Sequence, residues 1–237
     1  MLSIKTYSKT YGNGKKAVDN LSLEVEDGDL FAFIGHNGAG KSTTIKSVVG
    51  ILPFEEGDIY IGGLSIKDHP VECKKMIGYI PDNPDLYDSL TGIGYLNFIG
   101  DLFDVSTEKR KEIIEKYATM FELHNDLNNF ISSYSHGMKQ KLALISAFIH
   151  EPKLLVLDEP FVGLDPKATF LVKKVMKEFC ENGGSIFFST HILEVAQKLC
   201  NKIAIIKKGK LVTYGDMETV TKEASLEEVF MELVDNA

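Results

Sequence analysis

The sequence predicts an α/β protein with a mainly parallel sheet, an N-terminal antiparallel β subdomain and an inserted helical subdomain. Three observations lead there. Beyond residue 150, short apolar runs alternate with longer amphipathic segments, the pattern of βα units in a parallel sheet. Ahead of residue 82 the apolar runs are short and punctuated by turn residues, as antiparallel strands are. Between residues 82 and 150 the apolar spacing becomes helical, most clearly over 109–121.

Taken in chain order, residues 4–7 and 21–25 read as strands, and the wholly apolar run 30–34 reads as a buried one. Residues 43–49 read as the helix that follows it. Gly57 and the pair Gly62-Gly63 bracket a further strand at 58–61. After the helical part, strands at 154–157, 185–189, 203–207 and 211–214 alternate with helices at 168–179 and 193–199. Ser225 and Glu228 have capping-box spacing and open a C-terminal helix over about 223–237. With no long linker or repeat, residues 1–237 form a single domain in which 1–81 and 151–237 make the core and 82–150 the helical subdomain.

The chain has 237 residues, 44% hydrophobic and 25% charged, enough for one large domain with a sizeable core. A net charge of -8 argues against broad binding to nucleic-acid phosphates, and no nucleic-acid partner is expected. Arg110 is the only arginine among 26 basic residues, so an arginine finger would be Arg110 or come from another protein. Cys73, Cys180 and Cys200 are too few and too far apart for a disulfide framework or metal cluster, which points to a reducing compartment. The N-terminus has no apolar signal core, and no stretch of about 18 residues is free of charge, so neither a signal peptide nor a membrane span is expected.

The run Gly35-His36-Asn37-Gly38-Ala39-Gly40-Lys41-Ser42 fits G-x-x-x-x-G-K-S. Its glycines let successive backbone N–H groups turn inward around a polyphosphate, Lys41 brings a point charge to the terminal phosphates, and Ser42 offers a hydroxyl to Mg²⁺. An apolar strand enters the run and a helix leaves it, the setting a phosphate-binding loop (P-loop) needs. The α/β fold is therefore read as a P-loop NTPase core.

Asp158 and Glu159 end the apolar run 154–157. Ligands gather at the carboxyl ends of parallel strands, so this pair faces the same crevice as the glycine loop. Asp158 is placed to hold Mg²⁺ through water, and Glu159 to orient or deprotonate an attacking water. Ser135 and Gly137 stand before an apolar helix, whose free N–H groups form an anion-binding end, although an ordinary N-cap has the same appearance.

Together, the glycine loop, Ser135-His-Gly-Met-Lys-Gln-Lys, Asp158-Glu159-Pro, Gly163-Leu-Asp165-Pro and His191 after a strand resemble the ATPase subunit of an ATP-binding cassette (ABC) transporter. The resemblance covers nearly the whole chain. It implies a Mg-dependent ATPase whose cofactors are ATP and Mg²⁺, with Tyr11 stacking on adenine and residues Gly35 to Ser42 and Thr43 binding ATP. It implies that Ser135 and Gly137 contact the ATP of a second copy, that Asp165 lies in a loop crossing the dimer interface, and that His191 touches the terminal phosphate. Three residues depart from the family pattern. Asp82 stands where Gln is usual, leaving a carboxylate as the candidate metal or water contact, and in the signature segment His136 stands where Gly is usual and Met138 where Gln is usual.

The variants around Asp82 and Ser135 resemble an exporter-like branch serving drugs and peptide antibiotics. The implied partners are a second ATPase subunit, as a homodimer, and a separate transmembrane permease that would hold the chain on the cytoplasmic face of the cell membrane. Two other classes share part of this pattern. A small-molecule kinase shares the glycine loop but not the Ser135 segment ahead of Asp158-Glu159-Pro. A soluble non-transport ABC ATPase in an assembly complex remains the alternative.

Overall fold

The computed structural model describes residues 1–12, 14–222 and 224–235. Glu223, Asn236 and Ala237, which fall in the expected C-terminal helix, lie outside the described residues. The strands are β1 (Leu2–Thr10), β2 (Lys16–Val25), β3 (Leu30–Ile34), β4 (Glu56–Ile61), β5 (Leu64–Ser65), β6 (Ile77–Ile80), β7 (Leu154–Asp158), β8 (Ser185–Thr190), β9 (Lys202–Lys207) and β10 (Lys210–Asp216). The helices are α1 (Lys41–Val48), α2 (Pro70–Lys75), α3 (Gly92–Leu102), α4 (Thr107–Met120), α5 (His136–Phe148), α6 (Pro166–Glu181), α7 (Leu193–Leu199), α8 (Met217–Thr221) and α9 (Leu226–Phe230).

Six strands form the main sheet in the order β10-β9-β3-β8-β7-β6, parallel from β9 to β6, with β10 antiparallel at one edge. An antiparallel sheet, β2-β1-β4-β5, lies beside it. All five residues of β3 and of β7 are buried, as the apolar runs 30–34 and 154–157 in a sheet covered on both faces should be. Their side chains alternate between two cores. Phe31, Phe33 and Val156 join Ile45 and Val48 of α1 and the antiparallel sheet, whereas Ala32, Ile34, Leu155 and Leu157 join the helices on the opposite face.

The helices between β6 and β7 contribute Leu96, Ile113, Ile114, Leu142 and Ile145 to that second core. Arg110 ties α3 to α4: its guanidinium donates to Asp101 Oδ1 (2.7 Å), Asn97 O (3.1 Å) and Val105 O (2.6 Å). At 12% side-chain exposure it is committed within the helical lobe rather than extended toward a phosphate.

Helix starts follow their caps. The helix expected at 109–121 begins at Thr107, because Ser106 accepts from Lys109 N; the one expected at 168–179 begins at Pro166, after Asp165. At the C-terminal end, the five residues of α9 are followed by a π-helical turn, Met231–Asp235. The short elements β5, α2 and α8 carry too few residues to leave a periodic signal. Among the described residues no helix is long and apolar enough to cross a membrane.

Candidate functional site

The glycine loop leaves the carboxyl end of β3, at the middle of the main sheet, and enters α1. Gly40 has φ 112°, and a Cβ there would lie 2.7 Å from Ala17 O, so only glycine fits. Standing just before α1, it supplies no side-chain cap, which leaves the first N–H groups of the helix for a ligand. Two hydrogen bonds brace the loop: Gly209 N to Ala39 O (2.8 Å) and Thr44 Oγ1 to Gly40 O (3.0 Å).

A cleft of about 530 Å³ opens over the loop, bordered also by Tyr11, Lys15, Thr43, Asp82 and Glu159. The Tyr11 hydroxyl is 3.2 Å from Thr43 Oγ1, which sets its ring beside the start of α1. Lys41 is only 6% exposed; its Nζ donates to Gly35 O (2.6 Å) and lies 3.6 Å from Glu159 Oε1.

β7 delivers both carboxylates. Asp158, 3% exposed, accepts from Ser189 Oγ at 2.5 Å, and the same oxygen accepts from Glu159 N at 3.0 Å. Parallel register sets Asp158 against Ser189 on β8, so one hydroxyl holds two successive residues. Glu159 has φ 50°, a left-handed conformation that is uncommon for non-glycine residues. Its Oε2 lies 2.9 Å from His191 Nδ1 and accepts from His191 N at 3.3 Å. An ionised carboxylate can only accept, so in this contact Nδ1 carries the proton. Glu159 is thus held between Lys41 and His191. Beside them on β6, burial pushes the Tyr79 phenol up to about 12, with the Asp158 charge adding to the shift.

Ser135, Gly137 and Asp165 are not among the residues that border this cleft. They lie instead where the start of α5 faces the segment that leads into α6, a Cβ at Gly137 lying 3.9 Å from Gly163 O. Ser135 Oγ caps α5 by accepting from Met138 N (3.3 Å), and Asp165 caps α6 by accepting from Ala168 N (2.8 Å). That backbone donor holds the Asp165 carboxyl below the usual range. Between them His136 packs on Gly163, where φ is 76° and a Cβ would lie 2.5 Å from the imidazole Cδ2.

The structure therefore gathers Tyr11, the glycine loop, Thr43, Asp82, Asp158, Glu159 and His191 at one end of the sheet, and leaves Ser135, Gly137 and Asp165 in a separate corner. Sequence reasoning missed Ser189 and the Glu159–His191 contact. A hydroxyl ending the apolar run 186–188 was the available signal for Ser189; the histidine contact depends on the register of strands and has no local signature. The residues fit a triphosphate with a divalent cation: a cradle that a Cβ at position 40 would fill, a buried lysine, a hydroxyl at Ser42 and carboxylates within reach.

A family model described as "ABC transporter" matches residues 18–162. The uncharacterized ABC transporter ATP-binding protein YhcH of Bacillus subtilis (strain 168) is 36% identical over 225 residues, covering 94% of this chain and 71% of that protein. The linearmycin resistance ATP-binding protein LnrL of the same organism is 33% identical over 218 residues, covering 91% of this chain and 69% of LnrL. A solved structure described as the ATP-binding subunit of an ABC transporter superposes with a TM-score of 0.94 at 34% identity, covering 98% of this chain and 99% of that one.

Proposed function

We propose, from the premise that this chain belongs to the ABC transporter family of ATP-binding proteins, that it is the ATPase subunit powering a separate membrane permease. It is an ABC-type ATPase, and its cofactors are ATP and Mg²⁺. The observation that carries the reading is the Glu159 carboxylate, held between Lys41 and His191 at the mouth of the loop cleft.

In this reading Tyr11 stacks on adenine while residues 35–43 take the phosphates. Ser42, Asp158 through water, and Asp82 would hold Mg²⁺, which when bound neutralises charge on the terminal phosphates. Glu159 orients the attacking water and accepts its proton as the new P–O bond forms and the bond to the ADP oxygen breaks. His191 keeps the carboxylate aimed and reaches the transferred phosphoryl group. Lys41 and the N–H groups of α1 stabilise the charge that develops.

Ser135 and Gly137 serve the ATP of a second copy, and the Asp165 loop crosses between the two. Support comes from their placement: they line no part of their own chain's cleft, and both stand at helix N-termini. With Arg110 tied into the lobe, these donors supply the charge stabilisation contributed from the second copy. Residues 82–150 act as a subdomain that rests on the permease; its exposed aromatics Tyr87 and Phe98 suit such a contact. The direction is export, as the resistance function in LnrL's name suggests. The chain would then sit on the inner face of the membrane as one half of a homodimer.

Glu159→Gln tests the core of this reading. Turnover should fall by about 10²- to 10⁴-fold with ATP binding kept, and ATP should now trap a stable dimer measurable by size-exclusion chromatography. Wild-type hydrolysis in this variant, or a monomer at saturating ATP, would refute it. For the permease, affinity capture from solubilised membranes should recover a multi-span protein; recovery of soluble partners alone would point to an assembly ATPase.

A further inference from the structure

The glycine loop is braced at Ala39 O by Gly209 N, at Gly40 O by the Thr44 hydroxyl, and at His36 O by Ala39 N (3.1 Å) and Lys41 Nζ (3.4 Å), which leaves the His36 side chain to be placed by its own contacts. His36 stands on its exposed outer turn. The imidazole of His36 lies 4.9 Å from the ring of Phe230, with the planes at 73°, an edge-to-face pair. Phe230 ends α9 and is only 6% exposed, so this ring is seated in the core and the loop leans on it.

α9 is itself anchored at its other end. The Ser225–Glu228 capping box closes its first turn, Leu226 is fully buried, and Leu226 N donates to Gln197 Oε1 (3.1 Å) on α7. α7 begins two residues after His191, whose ring contacts Glu159. The short C-terminal helix thus runs from the helix behind His191 to the outer turn of the loop.

We propose that Phe230 is a positioning residue for the nucleotide, acting through His36. A phosphate loop works by presenting consecutive N–H groups at fixed angles, and the edge-to-face pair resists rotation of the peptide that carries His36. Nucleotide affinity then depends on a ring that does not border the cleft. The inference rests on the cleft being the ATP site.

The test titrates a fluorescent ATP analogue with Mg²⁺ into four full-length forms: wild type, Phe230→Leu, His36→Ala and the double variant. Leucine keeps most of the buried apolar volume and removes the ring. Each single change should weaken binding by about 2- to 10-fold, the usual worth of an aromatic pair. The double variant should bind no worse than the weaker single, because the contact is already gone. Phe230→Tyr, which retains the ring, should restore affinity. Wild-type affinity in Phe230→Leu, or penalties that add in the double variant, would overturn the proposal.

Should Phe230→Leu lose its cooperative melt, NMR of labelled phenylalanine in the wild type decides. The Phe230 ring signal, assigned through Phe230→Tyr, moves on ADP addition if the pair is coupled to the site; a stationary signal overturns it. If wild type fails to bind and Lys41→Ala changes nothing, the ATP reading itself has failed, and the two failures are distinguishable.

Discussion

The loop cleft and the Ser135 corner are both built on helix N-termini, yet they are finished differently. At the cleft, Gly40 leaves α1 uncapped, while charged side chains answer one another across it: Lys41 meets Gly35 O and Glu159, and Glu159 meets His191. At the corner, each helix is capped by its own side chain, Ser135 or Asp165, and His136 packs on Gly163. An uncapped helix end surrounded by internal partners suits a resident ligand. A capped and outward-facing end suits one that arrives on another chain.

Three substitutions bear on that contrast, in decreasing order of effect. Lys41→Ala removes a buried cation and should weaken ATP binding by about 100-fold or more while leaving the fold intact, measured by equilibrium titration. Normal affinity would erase the cleft's side of the comparison. Ser135→Ala should leave affinity in the monomeric chain unchanged, cost about 1 kcal/mol of stability through the lost cap, and lower turnover only where dimers form. A loss of monomer affinity like that of Lys41→Ala would mean the corner belongs to its own chain's cleft.

The smallest effect concerns the far end of α5. His150 Nε2 donates to Ile77 O (2.9 Å), its ring stacks on Phe103 at 3.9 Å, and Nδ1 is buried without a partner. Burial holds its pKa below the ordinary 6.5, the Ile77 contact opposing the shift. A depressed value favours the neutral form when folded, so this contribution is present above the unfolded-state pKa and declines as pH falls below it. Melting temperature should therefore drop between pH 7.5 and 5.5, and His150→Asn should flatten that slope. An unchanged slope would show that the end of α5 carries no proton-linked stability.

The loop was legible because its chemistry is local: Gly40, Lys41 and Ser42 are neighbours in sequence as well as space. The central strands were legible for the same reason, since burial on both faces makes β3 wholly apolar and β7 apolar up to Asp158. What escaped depends on pairing across the chain. Ser189 braces Asp158 only because β7 and β8 align in that register, and Phe230 reaches His36 only after α9 folds back over α7. Caps moved helix starts by two residues because a side-chain oxygen, rather than apolar spacing, decides where the first turn begins.

The alternation of β3 side chains between two cores has a consequence for amide exchange. A strand whose neighbours belong to both cores cannot open while either stays closed, so its N–H groups exchange with solvent only through unfolding of the whole domain. The helical lobe packs against one face alone and can loosen on a faster timescale. The end of β3 that carries the glycine loop should then keep its shape while the lobe fluctuates, and hydrogen exchange should find the slowest amides leading straight into the loop.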